Sequence, residues 1–245
     1  MKIIAMITAR STSSRFPRKH LAVLGGSSMI SHIIENIKCL RGIDDIVLAT
    51  TTNPEDDDLA HEARLRGIAY IRGSENDLVE RHGRVLLDFN PDAVLDISGD
   101  CPFMDVGAVQ AVIDSVKSHP FYDSYGMSGP YARLPEMLAG VKSASWYLKA
   151  FEIYAKYTEF CSADQYWLAT IKEPNCMSAY TVDGSAFLNK TVTPMKTSID
   201  WRLELNFWNI VIEHLGYYPT SADDFNKAFK ELGDKPFIWS ENNGS

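Results

Sequence analysis

The chain has 245 residues, of which 45% are hydrophobic, 11% aromatic and 23% charged, with a formal net charge of −8. That is enough apolar material for a full core in one α/β domain, or in a domain with an elaborated subdomain. The acidic balance argues against a general binder of nucleic acid or membrane surfaces, which needs a broad basic face, and favours a small anionic ligand.

KIIAMI, residues 2–7, reads as a first β-strand. The segment ITARSTSSRFPRKHLAVLGG (7–26) follows and packs Arg10, Arg15, Arg18 and Lys19 among small hydroxyl residues, against the sign of the whole chain. MISHIIENIKCL (29–40) is an amphipathic helix with Ile30, Ile33, Ile34, Ile37 and Leu40 on one face. DDIVLATT (44–51) is a strand, PEDDDLAHEARLRG (54–67) a helix ended by Gly67, IAYIRG (68–73) a short strand, ENDLVERHGRVLLDF (75–89) a helix and DAVLDISGD (92–100) a strand. Strands alternating with helices predict a mostly parallel sheet flanked by helices. VGAVQAVIDSVKSH (106–119) is helical. Residues 120–140, rich in Tyr, Gly, Ser and Pro, predict irregular loops with short strands. ASWYLKAFEIYAKY (144–157), ADQYWLATIKE (163–173), LELNFWNIVIEHLG (203–216) and SADDFNKAFKELG (221–233) read as helices. No internal repeat, low-complexity tract or domain linker is visible. Cys39, Cys101, Cys161 and Cys176 are widely spaced without a C-x-x-C pair, so they read as reduced thiols and not as a zinc cluster or disulfide framework. The opening apolar run is too short for a signal peptide and no stretch approaches the ~20 apolar residues of a membrane span, so a cytoplasmic protein is expected.

A strand, a Ser/Thr-rich loop and a helix form the place where open α/β sheets bind nucleotides, beyond the carboxyl ends of the strands. The basic loop lies there, yet it has neither the G-x-x-x-x-G-K-[ST] of a P-loop nor the G-x-G-x-x-G of a dinucleotide fold. Its chemistry must come from Arg and Lys side chains, with backbone N–H groups and Ser hydroxyls, closing on a polyphosphate. Asp100 follows Gly99 at a strand end; it would project into the crevice as a metal ligand, or serve as a turn or cap residue before Cys101-Pro102. Asp200 ends the run TSID and by itself reads as a cap. Asp56, Asp57 and Asp58 at a helix start read as a solvated cap favouring the macrodipole, and His32 as a structural histidine.

ITARSTSSRFPRKHLAVLGGSSMISHIIENI resembles the opening A-R-x-x-S-[ST]-R-[LF]-P-x-K-x-L…G-x-x-[ML]-[IL]-x-H of the cytidylyltransferases that make CMP-activated sugar acids. These are the CMP-KDO synthetases, the acylneuraminate cytidylyltransferases and the spore coat polysaccharide biosynthesis protein F family. DDIVLATTTNPEDDDLAHEARLRGIAYIRGSENDLVERH and DISGDCPFMD are similar to the last of these, and the match runs from residue 3 to about 115 and loosely beyond. The resemblance implies an α/β, Rossmann-like nucleotide-diphospho-sugar transferase fold with a smaller substrate and dimerisation subdomain. It implies one domain over 1–245: a nucleotide-binding core (1–118), an acceptor-binding and dimerisation insertion (119–175) and a C-terminal completion of the sheet (176–245).

The implied reaction joins CMP from CTP to a small anionic acceptor, a sugar acid or similar surface-polysaccharide precursor, releasing pyrophosphate. A phosphorylated or phosphonate acceptor, another NTP, or an inactive nucleotide-binding regulator are the alternatives. On the matching positions the resemblance assigns nucleotide binding to Thr8, Ala9, Arg10, Ser11, Ser14, Arg15, Lys19, Arg72, Gly73, Ser74, Asp77, Ser98 and Gly99. It assigns catalysis to Arg15, Lys19 and Asp100, and Mg²⁺ to Asp100 and Asp200. Arg72-Gly73-Ser74 resembles the family loop near the nucleotide base and ribose, and Asp77, Val79 and Arg81 follow it; Arg81 either joins the site or pairs with a carboxylate on the helix surface. Three departures stand out: Arg18 replaces the usual Gly, Ala163-Asp164-Gln165-Tyr166 stands in place of D-R-E-H, and Ile199-Asp200-Trp201-Arg202-Leu203-Glu204 in place of V-D-T-P-E-D. A homodimer is expected through the aromatic stretch Phe121 to Trp167, because Trp146, Tyr147, Phe151 and Tyr154 exposed on a monomer would form an apolar patch.

Overall fold

A computed structural model describes residues 1–128, 137, 139–186 and 197–232. Four strands, β1 (Ile3–Thr8), β4 (Asp45–Thr51), β5 (Ala69–Gly73) and β6 (Ala93–Ser98), run parallel. β1 lies between β4 and β6, so the chain moves outward to β4 and β5 and then crosses back to β6 on the other side. That reversal makes a crevice above the carboxyl ends of β1 and β6, where sheets of this kind bind ligands. β7 (Ser124–Ser128), β8 (Gly140–Ser143) and β9 (Ala179–Asp183) extend the same sheet in the order β5-β4-β1-β6-β8-β7-β9, with β8 antiparallel to both neighbours. A two-residue hairpin, β2 (Val23–Leu24) with β3 (Ser27–Ser28), closes the basic loop.

β1 is apolar on both faces because both are covered, as parallel sheets require. Ile3, Ala5 and Ile7 pack in one core with α1 (Met29–Lys38), α4 (Val106–Ser118), α6 (Arg202–Leu215) and α7 (Ala222–Leu232). Ile4 and Met6 enter a second core with α3 (Leu78–Phe89) and α5 (Ala144–Lys156). α2 (Asp57–Leu65) flanks β4 and β5.

Several expectations change. The helix read from residue 75 starts at Leu78, because the Asp77 carboxylate accepts the Glu80 N–H at 2.9 Å and caps it. Residues 163–172 form 3₁₀ turns kinked at Gln165. Trp146 and Tyr147 are buried within the chain's own second core, together with Tyr166, and Phe151 and Tyr154 pack against it. The exposed aromatic patch that argued for a homodimer is therefore largely absent among the described residues. None of the four cysteines, all among the described residues, forms a disulfide. No helix among the described residues is long and apolar enough to cross a membrane.

Candidate active site

The basic loop is held by its own backbone. The Arg18 N–H donates to the Ser11 carbonyl at 2.9 Å, and Arg18 adopts φ 58°, a left-handed conformation. Glycine reaches that region without steric cost, which explains physically why Arg18 is unusual here. Its guanidinium pairs with Asp58, a different carboxylate from the two that Lys19 holds.

Lys19 then turns inward. It is 5% exposed, and its ammonium donates to Asp100 Oδ2 at 2.8 Å and to Asp200 Oδ1 at 2.9 Å. Arg15, half exposed, reaches the same Asp200 oxygen at 3.2 Å and lies 5.9 Å from the Trp201 ring centre. Asp100 also accepts from the Ser98 hydroxyl. Burial alone would raise the Asp100 pKa, but the Lys19 charge and these hydrogen bonds outweigh it and hold the carboxyl below its ordinary range. Asp200 is brought here by the backbone: Ile199 N–H donates to the Asp100 carbonyl at 2.8 Å. Glu204, buried in the first turn of α6, accepts from the N–H groups of both Asp200 and Trp201. That cap is encoded in Asp200-Trp201-Arg202-Leu203-Glu204, an acidic residue three places into a helix, and it was the readable signal for Glu204.

Gly99 needs its missing side chain for a reason internal to the chain. A Cβ there would lie 2.8 Å from Ala9 Cβ and 2.9 Å from the Thr8 carbonyl oxygen, so the close approach is between two strand ends and not to a ligand. His20 fills the corner behind it, fully screened, with Nδ1 2.8 Å from the Gly99 carbonyl; burial lowers its pKa.

The remaining expected residues divide into two groups. At the other end of the loop, Arg10 donates to the Glu75 carbonyl at 2.9 Å and the Ser11 N–H donates to Asp56 Oδ1 at 2.6 Å. Asp56 is completely buried and also accepts from Thr51, so the expected solvated cap is corrected for this residue. Asp57 does remain outside, paired with Arg72. Arg72 spends its other donors on the carbonyls of Thr51 and Asn53, both at 2.7 Å, and Ser74 donates its N–H to Glu80. Arg72, Gly73, Ser74 and Asp77 are thus beside the loop but engaged in local structure, and Ser14 is exposed on the loop surface. His32, stacked on Tyr218 at 3.8 Å, is structural as expected.

Below the crevice, Thr8 Oγ1 and His82 Nε2 share a hydrogen bond of 2.9 Å, and His82 Nδ1 contacts the Tyr166 hydroxyl at 3.1 Å. Burial pushes the His82 pKa down to about 4, so the ring is neutral at pH 7. A cavity of about 660 Å³ opens beside it, lined by Thr8, Ser98, Trp167 and the Lys142–Asp96 ion pair (2.6 Å) among apolar side chains. Sequence reading missed Lys142 and Asp96, because nothing local marks them; β8 must pair with β6 before they meet.

The sheet order and the loop over its reversal define the class: an α/β protein of the nucleotide-diphospho-sugar transferase fold. Residues 4–238 match the profile of the family described as Cytidylyltransferase, and the chain belongs to that family. It is 34% identical over 120 residues to a 3-deoxy-manno-octulosonate cytidylyltransferase of Anaeromyxobacter dehalogenans (47% of this chain, 48% of that one). It is 32% identical over 126 residues to an 8-amino-3,8-dideoxy-manno-octulosonate cytidylyltransferase of Shewanella frigidimarina (49% of each). The chain spans about half the length of the curated relatives it matches. A cytidylyltransferase structure from Leptospira borgpetersenii superposes with a TM-score of 0.78 over 95% of both chains at 20% identity. A CMP:2-keto-3-deoxy-manno-octonic acid synthetase complexed with CTP does so at 0.62, covering 87% of this chain and 99% of that one, at 14% identity.

Proposed function

We propose that this chain is a CTP-dependent cytidylyltransferase that joins CMP to a sugar acid. The acceptor hydroxyl attacks the α-phosphorus of CTP, the bond to the bridging oxygen breaks, and pyrophosphate leaves. The observation that carries this reading is the Lys19 ammonium held between Asp100 and Asp200 at the mouth of the crevice. A buried cation fixed by two carboxylates at the sheet reversal is pre-positioned to meet phosphate charge, and Arg15 adds a second, more mobile cation at its rim. The relatives' names support CTP as donor and a 3-deoxy-octulosonate type of acid as acceptor. The adjoining cavity is of a size for one sugar. Lys142 supplies a cation at its wall for the acceptor carboxylate, and Asp96 holds that ammonium in place at 2.6 Å.

Mg²⁺ belongs to this reading. Asp100 and Asp200 come from different walls and meet on one ammonium, a donor set that suits an ion taking one or two carboxylates and completing its shell with phosphate oxygens and water. Held by Asp100 and Asp200 with the nucleotide bound, such an ion would supply charge neutralisation for the phosphates during transfer. Lys19 is the group that holds both carboxylates in place before the nucleotide arrives. A cytoplasmic homodimer belongs to this reading on the family resemblance alone, since the aromatic side chains that argued for a dimer pack within the chain's own second core.

The test is pyrophosphate release from CTP with Mg²⁺ across 3-deoxy-octulosonates, acylneuraminates, phosphorylated polyols and phosphonates. Turnover with one of the sugar acids is expected. CTP binding without release in the presence of every acceptor would identify a nucleotide-binding regulator instead.

A further inference from the structure

α3 turns two consecutive polar residues inward. Arg81 and His82 are each 3% exposed, so Arg81 is not on the helix surface where a pairing was expected. His82 lies beside the cavity that the proposed function gives to the acceptor, and no step of that reaction has used it. Its two ring nitrogens meet two hydroxyls: Nδ1 is 3.1 Å from that of Tyr166, a buried residue, and Nε2 is 2.9 Å from that of Thr8. Tyr166 ends the tetrapeptide that departs from D-R-E-H, so this arrangement is the chain's own and is not carried by the resemblance.

Counting protons sets the direction of both bonds. His82 is neutral at pH 7, so one of its nitrogens donates and the other accepts. Burial raises the Tyr166 pKa, so the phenol keeps its proton, and its one hydrogen bond to a described residue is with His82. A buried O–H without an acceptor is costly, so Tyr166 donates to Nδ1. The ring proton is then on Nε2, which donates to Thr8 Oγ1. Thr8 lines the cavity together with Lys142, and its hydroxyl makes no other hydrogen bond to a described residue. Having accepted from the ring, it turns its own proton into the cavity. With the opposite tautomer Thr8 would donate to the ring and show the cavity only lone pairs.

We propose that His82, locked by Tyr166, is a positioning residue that holds the Thr8 hydroxyl as a hydrogen-bond donor to the carboxylate of the sugar acid. A carboxylate only accepts, so a wall offering the Thr8 hydroxyl and the Lys142 ammonium fits it, whereas a wall of lone pairs would repel it. This rests on the reading that the cavity takes the acceptor. Loss of the lock acts on the KM of the acceptor and leaves the KM of CTP in place.

Two measurements test it. The first is nitrogen NMR of the protein labelled with ¹⁵N-histidine and without ligand, the His82 signals being assigned by their loss in His82→Gln. A ring protonated at Nε2 is expected; protonation at Nδ1 overturns the proposal and leaves the functional reading standing. The second is pyrophosphate release from CTP with Mg²⁺ and either 3-deoxy-manno-octulosonate or N-acetylneuraminate, in the parent, Thr8→Val, Thr8→Ser and Tyr166→Phe, with thermal unfolding to check the fold. Thr8→Val should raise the KM of the sugar acid on the order of 10-fold, with the KM of CTP within about twofold of the parent. Thr8→Ser, which keeps the hydroxyl, should stay near the parent, and Tyr166→Phe, which unlocks the ring, should fall between. An unchanged acceptor KM in Thr8→Val, or a rise shared equally by CTP, overturns the proposal. If Thr8→Val does not fold, the NMR and Tyr166→Phe decide, and a parental acceptor KM in Tyr166→Phe overturns it. A parent that releases no pyrophosphate with either acid overturns the functional reading and this inference with it.

Discussion

Lys19 and Arg15 reach the same carboxylate but from different surroundings, one buried and one half exposed, and the two differ in what their loss should do. Lys19→Ala removes a fixed cation facing the phosphates and should cut kcat on the order of 10²-fold, measured by pyrophosphate release. It also leaves Asp100 buried without its main counter-charge, so a loss of stability is expected by chemical denaturation, on the order of 3 kcal/mol. Arg15→Ala should lower turnover with almost no change in stability, since an exposed pair contributes little. Arg18→Gly relieves a left-handed backbone worth about 1–2 kcal/mol, but loses an exposed ion pair and adds freedom to the unfolded chain. The expected net is a stability change within about 1 kcal/mol and turnover within about twofold of the parent. At this scale the motif R-F-P-R-K marked the loop cations by their own types, and the strand end Gly99-Asp100 marked one carboxylate, whereas Asp200 read as a cap and joined the site only through the resemblance. It could not separate Asp56 from Asp57 and Asp58: three identical side chains in a row differ only in which one the fold turns inward to Ser11 and Thr51.

Among the elements, α3 carries the clearest pH dependence. The His82 pKa falls from 6.5 in the unfolded chain to about 4 in the fold, chiefly through burial. Between those values the unfolded chain binds the proton and the folded one does not, so stability falls as pH drops from 6.5 towards 4. The full effect is about 3 kcal/mol. His20, also lowered by burial, adds in the same sense. Denaturation midpoints between pH 7 and 4.5 should therefore decline steeply in the parent and less so in His82→Asn. An equal slope in both would show that His82 titrates normally. The alternation of strands and helices up to α4 was legible from periodicity, since each element there satisfies its own pattern. Residues 163–172 were not, because Tyr166 is placed by contacts with α3 and α5, and Trp167 by its edge contact with Tyr166, and neither by a helical stripe. Nothing in Gly140–Ser143 announces that β8 runs against its neighbours; that follows from pairing with β6 and β7.

For the whole molecule, the decisive experiment is a magnesium titration of turnover in Asp100→Asn and Asp200→Asn. Each should lose metal-dependent activity more than CTP affinity, because the ion acts on charge that develops in the transition state. Parental behaviour of Asp200→Asn at every concentration would leave that residue as the Lys19 partner and α6 leader only. A dimeric mass by light scattering at micromolar concentration is expected, and a monomer would remove the homodimer from the reading.

The bond from Ile199 to Asp100, and the clasp of Lys19 on Asp200, join parts of the chain 99 and 181 positions apart. Contacts of such separation form late, after shorter loops have closed. As the chain emerges from the ribosome, β1, β4, β5 and β6 have their neighbours long before residues 197–200 are made. A nascent chain therefore holds Lys19 with Asp100 alone, and the second carboxylate arrives only when the last helices dock. On the proposed function, the pair of carboxylates is complete only once residues 197–200 are made and α6 has docked, so a chain cut short before them is expected to show no pyrophosphate release.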